Sequence, residues 1–291
     1  MPQTINSTAP VEREDRREES NCPAGSSQTG AAADSTQHAS TNSAHTSVSV
    51  PDVPNATPST PSPLSTGVRP TGLIKGSPSS YVAGVVEWTF TESPSTIQGR
   101  TGSNACTFIA LLMGKQWMEG HLLWPTGDIL AESWRKSLFE AMIKGNKIHD
   151  DLFDHQAVDL DVEDAVALAD NECGVQGVGQ QTDIFGVNPV HQLANALIQE
   201  AQNNASKSCC VLTSEKRTML LVVNCDSSAM IIDSHSHGNN GAIIACSQAG
   251  CIHLLAQWLD AMMNDIWQKP LAVATTTKIV YFSEHNYLWY C

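Results

Sequence analysis

The stretch CCVLTSEKRTMLLVVNCDSSAMIIDSHSH, from Cys209 to His237, decides the fold. It holds three short apolar runs, CCVLTS (209–214), TMLLVVNC (218–225) and AMIIDSHSH (229–237), separated by the polar turn residues SEKR and DSS. Each run has strand length, and the breaks between them are too short for crossover helices. The pattern predicts an antiparallel meander. GAIIACS (241–247) supplies one more strand. A helix follows from about Gln248 to Trp267, with Ile252, Leu255, Leu259, Met262 and Ile266 on one stripe. TKIVYF (277–282) and YLWY (287–290) read as closing strands.

Upstream of the meander the period is helical. YVAGVVEWTF (81–90) is β-branched and aromatic and reads as a strand, and TESPSTIQGRTGSN (91–104) is a polar loop. ACTFIALLMGK (105–115) is a compact apolar run; with Ser103 or Asn104 as cap and Gly114 as stop, it predicts a buried helix from about Ala105 to Met113. A second helix, about Asp128 to Lys144, carries Leu130, Trp134, Leu138 and Met142 at four-residue spacing. The acidic stretch Asp150 to Glu172 holds a short helix at Val162 to Ala169, GVQGVGQQ (174–181) reads as a loop, and Pro189 opens a helix over Val190 to Ala201. Helices first and an antiparallel sheet second define an α+β class.

The first 80 of the 291 residues differ in kind. All 17 Phe, Trp and Tyr lie from Tyr81 onward, whereas 10 of the 14 prolines lie before it. A Ser/Thr/Pro-rich segment without aromatics buries too little apolar surface to offset its ordering entropy. The expected organisation is a disordered tail over 1–78 and one folded domain over 79–291. No apolar run is long enough for a membrane span, and the N-terminus MPQTINSTAPVERED lacks the order of a secretory signal. Of the formal charge of −14, the segment after Ser80 carries −12, with 23 acidic and 11 basic residues. Such a surface disfavours nucleic acid and favours a partner that presents basic residues. The nine cysteines include no CxxC pair, so zinc ribbons and thioredoxin-type motifs are disfavoured, and reduced thiols in a cytoplasmic or nuclear protein are expected.

Two places carry candidate chemistry. The first is QGRTGSNAC, Gln98 to Cys106. A cysteine in the first turn of a buried helix sits among unpaired backbone N–H groups, and the helix dipole favours its thiolate. Those N–H groups also suit a developing oxyanion, with Gln98 on the preceding loop as a second donor. The second is DSHSHG, Asp233 to Gly238, at the end of a strand. Side chains at i and i+2 share a strand face, so Asp233 can orient His235 and stabilise its protonated form. His237, four residues from Asp233 and at the turn, is a second candidate base with less fixed geometry. D-x-H-x-H also matches a metal-ligand pattern, but the only further His/Asp cluster, HDDLFDH (149–155), reads as acidic surface, and neither metal nor cofactor is expected.

A nucleophile on an early helix and a base on a later antiparallel strand is the papain-like arrangement. More narrowly, the chain resembles the deubiquitinating domain of the herpesvirus large tegument proteins, from roughly Ile97 to Asp265. That family has a helix-borne cysteine preceded by glutamine and a later Asp-x-His on a strand, and the matching residues here are Cys106, Gln98, Asp233 and His235. The sequence around Cys106 and the long Ser/Thr tail depart from the viral pattern. The resemblance implies a papain-like α+β fold and thiol catalysis. Cys106 would be the nucleophile, His235 the base, Asp233 its orienter and Gln98 an oxyanion donor. The implied substrate is a conjugate of ubiquitin or a ubiquitin-like protein. The alternative is a catalytically inactive peptidase-fold module that binds a protein partner.

Overall fold

In the computed structural model the described residues are 72–169, 172–183, 188–203, 208–224, 226, 228–269 and 275–282. The expected meander is present. Strands β6 (Ser208–Ser214), β7 (Arg217–Val223), β8 (Ala229–Asp233) and β9 (Ile243–Ser247) pair in chain order, all antiparallel. On one side, β9 continues into β3 (Val85–Thr89) and β2 (Ser77–Pro78). On the other, β6 continues into β10 (Thr275–Phe282) and β5 (Val175–Asp183). The sheet has eight strands in the order β2-β3-β9-β8-β7-β6-β10-β5. A separate ribbon pairs β1 (Leu73–Lys75) with β4 (Ile129–Ala131).

An antiparallel sheet with one wet face would show alternating polar residues, whereas β7 and β8 read as unbroken apolar runs because both of their faces are covered. Leu220, Val222, Met230, Ile232 and Ile244 join the core beneath α1 (Cys106–Met118), α2 (Glu132–Phe153) and α3 (Val162–Leu168). Met219, Leu221, Val223, Ala229, Ile231 and Ile243 face α4 (Pro189–Asn203) and α5 (Ile252–Trp267). The α+β class holds, with helices on both faces of the antiparallel sheet.

Several expected boundaries shift. Helix α1 does not stop at Gly114 but runs on to Met118. It ends in a paired C-terminal turn in which Gly120 N–H donates to Trp117 O and His121 N–H to Gln116 O. Residues 129–131 are strand, so α2 starts later than expected and extends to Phe153. GVQGVGQQ is no loop: it lies within β5, the outermost strand, half-exposed and paired only with β10. The proposed boundary at 78 falls after β1 and β2, which tie into the fold. Gly76 N–H donates to Asp128 O, and Trp88 Nε1–H is shared between Ile74 O and Asp128 O. The expected tail up to residue 71 and the YLWY strand lie outside the described residues.

Helices α1 and α2 cross closely. A Cβ at Gly145 would lie 2.6 Å from the Ile109 side chain and 3.3 Å from its backbone nitrogen, so only glycine admits this approach. The crossing fixes the height of α1, and thus of Cys106, against the sheet.

Candidate active site

Cys106 is the first residue of α1, and Ala105 at the N-cap offers no side-chain acceptor. Neither expected cap acts as one. Ser103 Oγ accepts from Ala105 N–H at 3.1 Å and donates to Asn146 Oδ1 at 2.6 Å, while Asn104 binds Asp159. Asn146 also donates to Pro94 O at 2.9 Å, so one α2 side chain fastens both ends of the loop that leads into Cys106. Thr107 ties the same turn to the sheet, pairing with the Thr218 hydroxyl at 3.0 Å and donating to Leu160 O.

Beneath the thiol lies the β6–β7 hairpin. Its two-residue turn places Glu215 (φ 47°) and Lys216 (φ 68°) in the left-handed region, the geometry of a tight type I′-like turn. Neither residue is the glycine or asparagine such a turn favours, so the backbone is strained here. The Cys106 sulfur lies 3.7 Å from the Lys216 carbonyl oxygen, and the nearby Thr218 backbone and hydroxyl groups favour its ionised form.

Strand β8 delivers the base. Its last residue, Asp233, is fully buried. Asp233 Oδ1 accepts from His235 Nδ1–H at 2.6 Å and from His235 backbone N–H at 2.9 Å. Both bonds fix the ring plane and leave Nε2 for the thiol, which lines the same pocket as the ring. Burial pushes the Cys106 thiol up, but the bond and charge of His235 and the Thr218 donors outweigh it and hold the thiol below its ordinary value. Burial alone would lower His235; the Asp233 carboxylate, joined by the thiolate, raises it to about 10. Burial would likewise raise Asp233, yet the two histidines keep it well below the usual carboxylate range. These opposed shifts describe a thiolate–imidazolium pair anchored on a buried carboxylate. Elsewhere burial dominates: Cys173 is pushed up to about 11 and Cys246 to about 12.

His237 is more constrained than its turn position suggests. It is buried, its Nε2 lies 3.2 Å from Asp233 Oδ2, and its ring lies against Trp267 at 5.4 Å. Asp233 thus sits between two imidazoles, one on each oxygen. One carboxylate serves both rings, and among the described residues no group of three His, Cys, Asp or Glu is arranged to hold a metal ion. In HDDLFDH, His149 is buried rather than solvated: it bonds Val158 O and packs between Phe108 and Phe153.

Gln98 does not join the site. It is exposed on the 3₁₀ turn Ile97–Gly99 at φ 57°. That turn is closed by the Thr96 and Ile97 N–H groups on Ser93 O, with Ile97 buried, which turns Gln98 outward. The pocket of about 290 Å³ at the nucleophile is lined by Pro94, Ser95, Ser103, Cys106, Arg217, His235, Ser236 and Trp267. The sequence gives no functional signal for Arg217, which reads as a turn residue, or for Trp267, which only closes the expected helix. Trp267 ends α5 and meets the His235 ring edge-on at 5.9 Å. Cys106, Cys173, Cys209, Cys210 and Cys246 are free thiols, whereas Cys251, expected to be reduced, is disulfide-bonded.

No protein-family model matches the chain, and no curated protein matches it. Among solved structures it is similar to the ubiquitin-specific protease encoded by murine cytomegalovirus tegument protein M48, which was crystallised with a ubiquitin-based suicide substrate. The TM-score is 0.43 at 10% identity, over 70% of this chain and 89% of that one. It is also similar to the Pseudomonas avirulence protein AvrPphB, with a TM-score of 0.40 at 14% identity, over 66% of this chain and 96% of that one.

Proposed function

We propose that the chain is a papain-like cysteine peptidase that acts on ubiquitin or ubiquitin-like conjugates. One observation carries the peptidase reading: the half-buried Cys106 thiol, at a helix N-terminus, shares a pocket with an imidazole that a buried carboxylate orients and that lowers the thiol pKa. A structural cysteine needs none of these partners, and an inactive binding module has no use for a depressed thiol. The Cys106 thiolate attacks the scissile carbonyl carbon. The backbone N–H groups of the first turn of α1 hold the oxyanion in place of Gln98. His235 Nε2–H protonates the leaving amine as the acyl-enzyme forms. His235 then takes a proton from water, and the hydroxide formed attacks the thioester, releasing the acid and restoring the thiolate–imidazolium pair. Asp233 keeps Nδ1 protonated throughout.

The ubiquitin part of the reading rests on the motif resemblance and on an acidic chain suited to a basic C-terminal tail. Its test is a covalent probe built on ubiquitin with an electrophile at its C-terminus. The expected result is an adduct of the probe's mass on Cys106, absent from Cys106→Ala. Alkylation of Cys106 by small electrophiles without any ubiquitin adduct would remove ubiquitin and leave the peptidase.

A further inference from the structure

Arg217 opens β7 and lines the same pocket as Cys106 and His235. Its guanidinium carbon lies 4.6 Å from the centre of the Trp267 ring. Among the described residues, every other lysine and arginine has an oxygen partner. Lys75, Arg100, Arg135, Lys136, Lys144, Lys147, Lys216, Lys269 and Lys278 pair with carboxylates, and Lys115 donates to the Glu172 carbonyl. Arg217 alone meets only an aromatic face. In a chain with 30 acidic residues against 16 basic ones, an unneutralised guanidinium beside the nucleophile is an uncommon arrangement.

The ring supplies no hydrogen-bond acceptor in its plane, so a guanidinium held over it keeps N–H donors available, in the fork geometry that matches a carboxylate. Trp267 holds that fork in place, so little side-chain freedom is lost when an anion binds. We infer that Arg217 is a substrate-binding residue that accepts a carboxylate on the substrate close to the scissile bond. The inference rests on the peptidase reading but not on ubiquitin. Screening confines the attraction to the pocket, about 8–10 Å at ordinary salt, while the acidic exterior repels a run of acids. The site therefore selects a single carboxylate rather than an acidic segment.

Two pairs of alkylating probes test this and separate the possible sources of the carboxylate. Bromoacetyl-glutamate α-amide against bromoacetyl-glutamine α-amide reads a side-chain acid. Bromoacetylglycine against bromoacetylglycinamide reads a chain terminus. In each, the thiolate sulfur displaces bromide at the methylene carbon: a C–S bond forms, the C–Br bond breaks, and bromide leaves with the electron pair. The readout is the acid-to-neutral rate ratio at Cys106 by mass spectrometry, which cancels changes in thiol reactivity common to both probes. Wild type should favour the acid in at least one pair. Arg217→Gln should lower that ratio about tenfold, the size of one charged hydrogen bond, and Arg217→Lys should keep most of it. The pair that responds names the source. Equal ratios in wild type and Arg217→Gln for both pairs would overturn the inference. Failure of the peptidase reading looks different, because the neutral probes would then label Cys106 no faster than Cys173.

Discussion

Asp233 stands between two imidazoles but accepts a hydrogen bond only from His235, so its two oxygens have separable duties. Oδ1 fixes the His235 tautomer at 2.6 Å, and Oδ2 lies 3.2 Å from His237. Asp233→Asn should cut hydrolysis by roughly 10²–10⁴-fold, because an amide can present N–H to Nδ1 and reverse the tautomer. Cys106 itself should remain intact and alkylatable in that variant. Hydrolysis undiminished in Asp233→Asn would remove the orienting role. His237→Ala should act first on stability, since it removes the imidazole 3.2 Å from the buried Asp233 Oδ2 and leaves a gap against Trp267. The expected loss is about 1–3 kcal/mol, seen as a lower Tm, with activity falling less than in His235→Ala. A His237→Ala protein with unchanged melting would contradict the burial described here.

At the scale of elements, the site depends on how α1, β8 and the loop before Cys106 are fastened. The loop is pinned to the start of β9 by three backbone bonds: Phe90 N–H to Ala242 O, Gly241 N–H to Phe90 O, and Ala242 N–H to Glu92 O. A Cβ at Gly241 would lie 2.1 Å from the Glu92 carbonyl oxygen. Gly241→Ala must therefore push the two backbones apart and weaken this clasp. The expected cost is about 1–3 kcal/mol of stability, together with slower alkylation of Cys106, because Pro94 and Ser95 lie just beyond the clasp. Scanning calorimetry with a Cys106 labelling assay reads both, and an unperturbed variant would show that the loop has another anchor.

The elements legible in the sequence were those with strong local signals. The meander announced itself through short apolar runs and the polar breaks SEKR and DSS, whereas the Asp161 side chain that caps α3 on Asp164 N–H emerged only from the structure. Strand β5 was not legible, because an edge strand half in solvent has no apolar alternation and its glycines read as loop. Asp233 and His235 were legible since i and i+2 on one strand end must be neighbours. The outward turn of Gln98 was not, because it follows from the Ser93 carbonyl closing a tight turn. Arg217 and Trp267 meet only in three dimensions, 50 residues apart in sequence.

For the molecule as a whole, the sheet separates two cores, and the site lies at the end of the sheet where β8 finishes, β7 begins and the helices of both faces meet. The N-terminus of α1 comes from one face and Trp267 of α5 from the other. The folded unit starts earlier than composition suggests, because β1 and β2 cover Trp88 and Asp128. Two truncations test this. A chain starting at residue 72 should melt several degrees above one starting at 81, which lacks β1 and β2 and their bonds to Trp88. Equal melting temperatures would return the boundary to residue 78.

The central claim is that His235 and Asp233 hold Cys106 as a thiolate, and its most direct test is the pH dependence of Cys106 alkylation by iodoacetamide. A depressed thiol is ionised, and so reactive, at lower pH than an ordinary thiol. Reactivity should therefore persist to lower pH than for a free thiol, while Cys173 and Cys246, raised by burial, stay unlabelled. In His235→Ala the imidazole's contribution is lost while burial remains, so the Cys106 profile should move to higher pH and labelling in acid should nearly vanish. A Cys106 profile that follows an ordinary thiol in wild type, and does not move in His235→Ala, would contradict the account.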